Sequence, residues 1–179
     1  MMISATAFGA HLSDRLLVTA RLTGDQEVPA VMTSATGVAG FSLNEAKDSM
    51  CIDIITVGLS GAITGIHVHE GVAGMNGGVI FNLTPFISGN RVQAVITGTD
   101  LTAEAIGKFL SNQYYLNVHT AANPNGEIRG QLKLETDMGL KANLNAGQQV
   151  HTSTSNATGL AAFTVSLTGD YIEVKLLTT

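Results

Sequence analysis

The chain has 179 residues, enough for one domain of ordinary size plus a fragment but cramped for two full domains. Hydrophobic residues make up 45% and charged residues 13%, with 20 glycines, a mixture that suits strands and tight turns; the net charge of -5 comes with no basic stripe interleaved with aromatics, so nucleic-acid binding is not expected. No run approaches the roughly 18 apolar residues of a membrane-spanning helix, and Cys51, the single cysteine, rules out an internal disulfide and any cysteine-based zinc pattern.

Residues 1–15 read as an N-terminal arm. Residues 1–10 are mildly apolar but lack the basic flank and the apolar length of a standard signal peptide. Strand-like alternation then occupies 16–22, 37–43, 50–59, 63–69, 79–83, 91–97, 114–118 and 127–134. Cys51 falls in the third run, where a buried, inert thiol is expected. Turn signals punctuate the series at Asn76-Gly77-Gly78, Ser88-Gly89-Asn90 and Asn123-Pro124-Asn125-Gly126. One segment breaks the pattern: 100–112 sets Leu101, Ala105, Ile106, Phe109 and Leu110 near one helical face, with Asp100 or Thr102 as N-cap and Glu104 in the first turn. The sum is an all-β fold, an antiparallel Greek-key-like β-sandwich with one short helix near 100–112.

The second organising feature is an internal repeat. Residues 20–43 align without a gap on 142–165, matching Leu22 with Leu144, Gln26 with Gln148, Val28 with Val150, Ala35-Thr36-Gly37 with Ala157-Thr158-Gly159, and Phe41 with Phe163. With a small gap, Ile52-Asp53-Ile54 then corresponds to Ile172-Glu173-Val174. The chain thus divides into a complete β unit over 16–134 and a partial copy over 135–179 that lacks everything aligned with 61–134. An isolated set of about three strands cannot bury both faces or pair its edges. It is a fragment, or it packs on the first unit, or it completes a fold with strands from another protomer. The last is the expectation here: a homo-oligomer or polymer built head to tail, closing as a ring or propagating as a filament.

Several motifs carry a family resemblance. Gly24-Asp25-Gln26-Glu27-Val28-Pro29, Ser34-Ala35-Thr36-Gly37 before Phe41, Leu59-Ser60-Gly61 leading to Ile66-His67-Val68-His69-Glu70-Gly71, and Asn117-Val118-His119-Thr120 followed by Asn123-Pro124-Asn125-Gly126-Glu127-Ile128-Arg129-Gly130-Gln131-Leu132 stand in the order and spacing of the CHRD (chordin-repeat) family. The resemblance covers about 16–134 and implies a secreted or cell-surface β module, often repeated in tandem. The leading expectation is therefore a structural or adhesive module that self-associates, with no catalytic residues.

The competing expectation is metal binding. In an extended strand His67 and His69 project to one face while Ile66 and Val68 face the other. His119, on the face shared by Tyr115 and Asn117, supplies a third nitrogen if the two strands are neighbours, and three histidines with an open position would suit copper or zinc. The segment 65–70 also resembles the copper-binding strand of copper/zinc superoxide dismutases, which would imply redox activity as the strong form of this alternative. The bland reading of the same residues is a hydrogen-bonded polar layer. Arg129 is expected to pair with a carboxylate among Asp25, Glu27 and Glu127. Gly74-Met75-Asn76-Gly77-Gly78, which lacks the ending of a phosphate loop, is read as a turn.

Overall fold

The structure, a computed structural model, describes residues 16–136, 138–150, 153–166, 168 and 170–179; the expected arm over 1–15 lies outside them. Strands β1 (Leu16–Thr23), β2 (Thr36–Leu43), β3 (Ser49–Val57), β4 (Ile63–Glu70), β5 (Val79–Asn82), β6 (Ile87–Ser88), β7 (Arg91–Thr97), β8 (Tyr114–Thr120), β9 (Ile128–Gln131) and β10 (Lys133–Leu134) form one antiparallel sheet. Its order is β5-β4-β8-β9-β1-β2-β3-β7-β6, with β10 also paired to β1. Alternation explains the core. Val18, Ala20 and Leu22 of β1, Phe41 and Leu43 of β2, Ile52 and Ile54 of β3, Ile66 and Val68 of β4, and Leu116 and Val118 of β8 all point to one interior.

The helix α1 (Ala103–Leu110) caps this interior. Thr102 is its N-cap, its side chain accepting from the Ala105 N–H at 3.1 Å. Phe109, fully buried, packs on Tyr114, Phe81 and Phe41 at centroid distances of 4.7, 5.7 and 5.9 Å. The all-β expectation with one short helix therefore holds, but the hydrogen-bonded ladder does not break into the two separate sheets of a sandwich. Strand β9 joins the halves by pairing with β8 along its length and with β1 at Thr23↔Arg129. Gly130 makes that junction possible: a Cβ there would lie 2.5 Å from the Arg21 carbonyl oxygen.

Strands β11 (Met138–Asn145), β12 (Thr158–Val165) and β13 (Ile172–Thr178) form a second antiparallel sheet, with β12 central. The ladder differs from the alignment in one respect. Phe41 pairs with Ile52 and Phe163 pairs with Val174, so Val174, not Ile172, occupies the place of Ile52, and no gap separates β12 from β13 relative to β2 and β3. A shift of two residues preserves apolar alternation, so the sequence pattern could not detect it; the ladder does.

This sheet folds back on its own chain. Leu160 and Leu177 form one apolar cluster with Val38 and Ile55 on the outer face of β2 and β3. Val38 and Leu160 are counterparts in the ungapped alignment, and Ile55 and Leu177 extend it, so the two sheets meet through equivalent surfaces in a pseudo-two-fold manner. Close approach is allowed by Gly139, where a Cβ would fall 2.8 Å from the Leu17 side chain, and by Gly40, over which Lys141 passes on its way to Asp53. Burial pushes the Asp53 carboxyl up, but hydrogen bonds from Lys141, Gln93 and Asn143 and the Lys141 charge outweigh it and hold Asp53 below its usual range. Glu135, at the junction, accepts from Thr19 and from Thr164 and pairs with Lys175 at 2.9 Å. The polar face of the second sheet is thus satisfied within the chain. Cys51 lies on this outer face, half-buried rather than enclosed in the core.

Candidate functional site

The outer face of β4-β8-β9 carries most of the polar residues singled out in the sequence. The ladders place His67 opposite Asn117, His69 opposite Tyr115, and Gly65 opposite His119, then Asn117 opposite Arg129 and Tyr115 opposite Gln131. Cross-strand neighbours share a face, so three histidines, a tyrosine, an asparagine, an arginine and a glutamine form one polar layer. All three predicted histidines are brought together. His67 Nδ1 lies 3.1 Å from His119 Nε2, and the candidate ligand atoms of His67, His69 and His119 all fall within 4.8 Å of one another.

Main-chain carbonyls set two of the three rings. His69 Nδ1 is 3.0 Å from the Gly77 carbonyl oxygen, and His119 Nδ1 is 3.0 Å from that of Pro124. A carbonyl oxygen only accepts, so both Nδ1 atoms carry the hydrogen and both Nε2 atoms carry a lone pair. His69 Nε2 is buried and has no hydrogen-bond partner among the described residues. His67 Nε2 sits 3.5 Å from the Thr84 hydroxyl. Burial lowers the pKa of each ring below the ordinary histidine value; neighbouring His119 and His69 add to this at His67, the Arg129 charge at His69, and His69 at His119, while the carbonyl hydrogen bonds only partly offset it.

Arg129 organises the layer from behind. It is 1% exposed, and its guanidinium lies 3.4 Å over the Tyr115 ring, which in turn stacks on His69 at 4.9 Å with planes 7° apart. It donates to the Asn76 side-chain oxygen at 3.0 Å and to the carbonyls of Met75 at 2.6 Å and Val72 at 3.3 Å. No carboxylate stands within ion-pair distance of Arg129 among the described residues, so the expected pair is replaced by a loop anchor. The segment read as a bare turn is that loop. Gly77 is required in it, since a Cβ would lie 1.5 Å from the Glu70 carbonyl oxygen, and its own carbonyl orients His69. Glycine spacing signalled the turn; nothing local signalled its partners.

Two buried carboxylates frame the layer. Glu127, fully buried, accepts from the Ser60 N–H at 2.9 Å and from the hydroxyls of Ser60, Thr120 and Thr33 at 2.6, 2.7 and 3.0 Å. Burial raises its pKa, but these four donors more than compensate and hold it below the usual range. Glu27 has fewer. One oxygen accepts from the Asn117 amide at 3.1 Å, while Glu27 Oε1 and Asn117 Oδ1 have no hydrogen-bond partner among the described residues. Burial carries Glu27 to about 7 against the opposing pull of Arg129 and Asn117. Among the described residues Asp25 joins neither network.

A second feature lies on the tail sheet. Its inner face holds Lys141, Asn143, Thr164 and Lys175. The outer face, by register, presents Leu140, Ala142 and Leu144 of β11, Ala161, Phe163 and Val165 of β12, and Ile172, Val174 and Leu176 of β13. No charged residue interrupts it. Ile172, Val174 and Leu176 are 63, 51 and 54% exposed, although the residues in the corresponding places of the first sheet, Met50, Ile52 and Ile54, are 1% exposed.

The CHRD domain family matches residues 18–132, which covers most of β1, all of β2 to β9 and the whole polar layer. Chordin of Danio rerio is 26% identical over 125 residues, a match that spans 69% of this chain but only 13% of that protein. No solved structure matches. No helix among the described residues is long and apolar enough to cross a membrane.

Proposed function

We propose that this chain, which belongs to the CHRD domain family, is a non-enzymatic extracellular β module that associates with further copies of itself through residues 138–178. Its extracellular placement rests on the family and on the similarity to chordin. Self-association rests on one observation: the tail sheet turns its polar face inward and an uncharged apolar face outward.

Leaving that face wet is costly. Burying a Val, Leu or Ile side chain is worth roughly 1.5–3 kcal/mol, so removing the exposed halves of Ile172, Val174 and Leu176 from water contributes on the order of 1 kcal/mol each. In the first unit the corresponding strands cover the same kind of face with a further β layer and α1. Two tail sheets stacked face to face supply that cover to each other, and equal faces meeting across a two-fold close as a dimer; a ring or filament would instead require head-to-tail pairing at the free edges of β11 or β13.

Sedimentation velocity on the full chain over a wide concentration range tests this. The expected result is a concentration-dependent dimer that Val174→Glu with Leu176→Glu converts to monomer. A chain that stays monomeric at several hundred micromolar would sink the proposal, and polymers that survive the double substitution would move the contact to the strand edges.

A further inference from the structure

We infer that His67, His69 and His119 form a three-nitrogen binding site for one divalent d-block ion of the zinc or copper class. The inference is independent of self-association, since the histidines lie on β4 and β8 and the apolar face on β11, β12 and β13.

The first argument is tautomeric. Metal-ligating histidines commonly donate the other ring N–H to a carbonyl or carboxylate, which fixes the ring and aims the lone pair. His69 and His119 are in that state, each with Nδ1–H held by a main-chain carbonyl at 3.0 Å, so both Nε2 lone pairs are set in advance. His69 Nε2 has nothing to accept from among the described residues, a buried acceptor that a cation would satisfy.

The second argument is spacing. Metal–nitrogen bonds of about 2.0–2.1 Å in tetrahedral geometry place ligand nitrogens about 3.3 Å apart. His67 Nδ1 and His119 Nε2 already stand at 3.1 Å, and the whole set closes within 4.8 Å. Without an ion, His67 Nδ1–H donates to His119 Nε2. With an ion, the proton moves to His67 Nε2, where the Thr84 hydroxyl waits at 3.5 Å, so loading changes the tautomer and releases no proton. The Arg129–Tyr115–His69 stack holds the third ring in plane.

The third argument is the donor set. Three imidazoles suit zinc or copper and not calcium or magnesium, which need oxygen ligands. All three are only half-buried, which leaves a coordination position for water or an anion.

Calorimetric titration of chelator-treated full-length protein with zinc chloride and with copper chloride tests the site. One equivalent of at least one ion should bind, with affinity falling by more than about 100-fold in His67→Gln with His119→Gln, whereas His11→Ala with His151→Ala should leave it unchanged. Because the double glutamine variant can lose its fold, nitrogen-15 spectra of the parent protein give a second readout: the His69 and His119 Nδ1–H resonances should persist on loading while the His67 proton moves from Nδ1 to Nε2. Absence of heat with both ions, or full binding in a folded His67→Gln and His119→Gln variant, would overturn the assignment.

Discussion

Replacing Glu27 by Gln should stabilise the protein at alkaline pH and leave it nearly unchanged in acid. Glu27 is 7% exposed and, among the described residues, accepts a single side-chain hydrogen bond, from Asn117, and leaves its second oxygen and the Asn117 oxygen unpartnered. Both orphan oxygens approach the bare side of Gly126. A proton on Glu27 would let the acid and the amide bond each other twice, and a glutamine amide can do the same at any pH. Burial lifts this carboxyl from 4.5 to about 7. For a raised pKa the stabilising contribution is complete below the unfolded value and is lost as pH rises through the folded one, here between about 4.5 and 7. At 1.36 kcal/mol per pH unit the loss above pH 8 has a ceiling of about 3 kcal/mol. Glutamine forgoes the attraction of Arg129, so a gain of about 1–2 kcal/mol is expected at pH 8.5, a rise of roughly 2–8 °C in Tm for a chain of this size. At pH 4 the two proteins should agree within about 0.5 kcal/mol. Calorimetric melts at the two pH values provide the measurement. A variant less stable than the parent at pH 8.5 would show that ionised Glu27 is well paired, and would refute the reasoning.

Two further substitutions address the loop and the tail. Gly126 has φ +127, and a Cβ there would fall 2.5 Å from Asn117 Oδ1 and 2.6 Å from Glu27 Oε1; Gly126→Ala should therefore cost about 2 kcal/mol or more in urea unfolding. Leu160, fully buried against Val38, Ile55 and Leu177, cannot be replaced by Asp without leaving a carboxylate unpaired, at a cost of about 3 kcal/mol or more. Limited proteolysis with mass analysis should then cut Leu160→Asp within residues 136–158 while a fragment ending near Leu134 survives. Equal resistance of parent and variant would show that the tail is held elsewhere.

Strand positions were legible because their causes are local. Period-two alternation and Gly- or Asn-rich turns place the first eight predicted runs within a few residues of their observed bounds, and the Leu101 to Leu110 spacing with Thr102 locates α1. The clustering of His67, His69 and His119 was half legible: alternation put two on one face, but their meeting with the third required β4 and β8 to be neighbours. Arg129 was misjudged because its charge suggests a carboxylate, while its actual partners are two backbone carbonyls, a side-chain amide and an aromatic face more than fifty residues away along the chain or fourteen positions back.

The sequence by itself determined the strand alternation, the helix and the family, since each is written in neighbouring residues and their spacing. Tertiary structure decided what those elements meet: that β9 fuses the halves into one curled sheet, that β13 pairs with β12 in the same register as β3 with β2, and that the tail buries its charged face on its own chain. An apolar alternation states that one side must be covered, and shifting it by two residues states the same thing. Only the ladder and the packing select the register and the surface that does the covering.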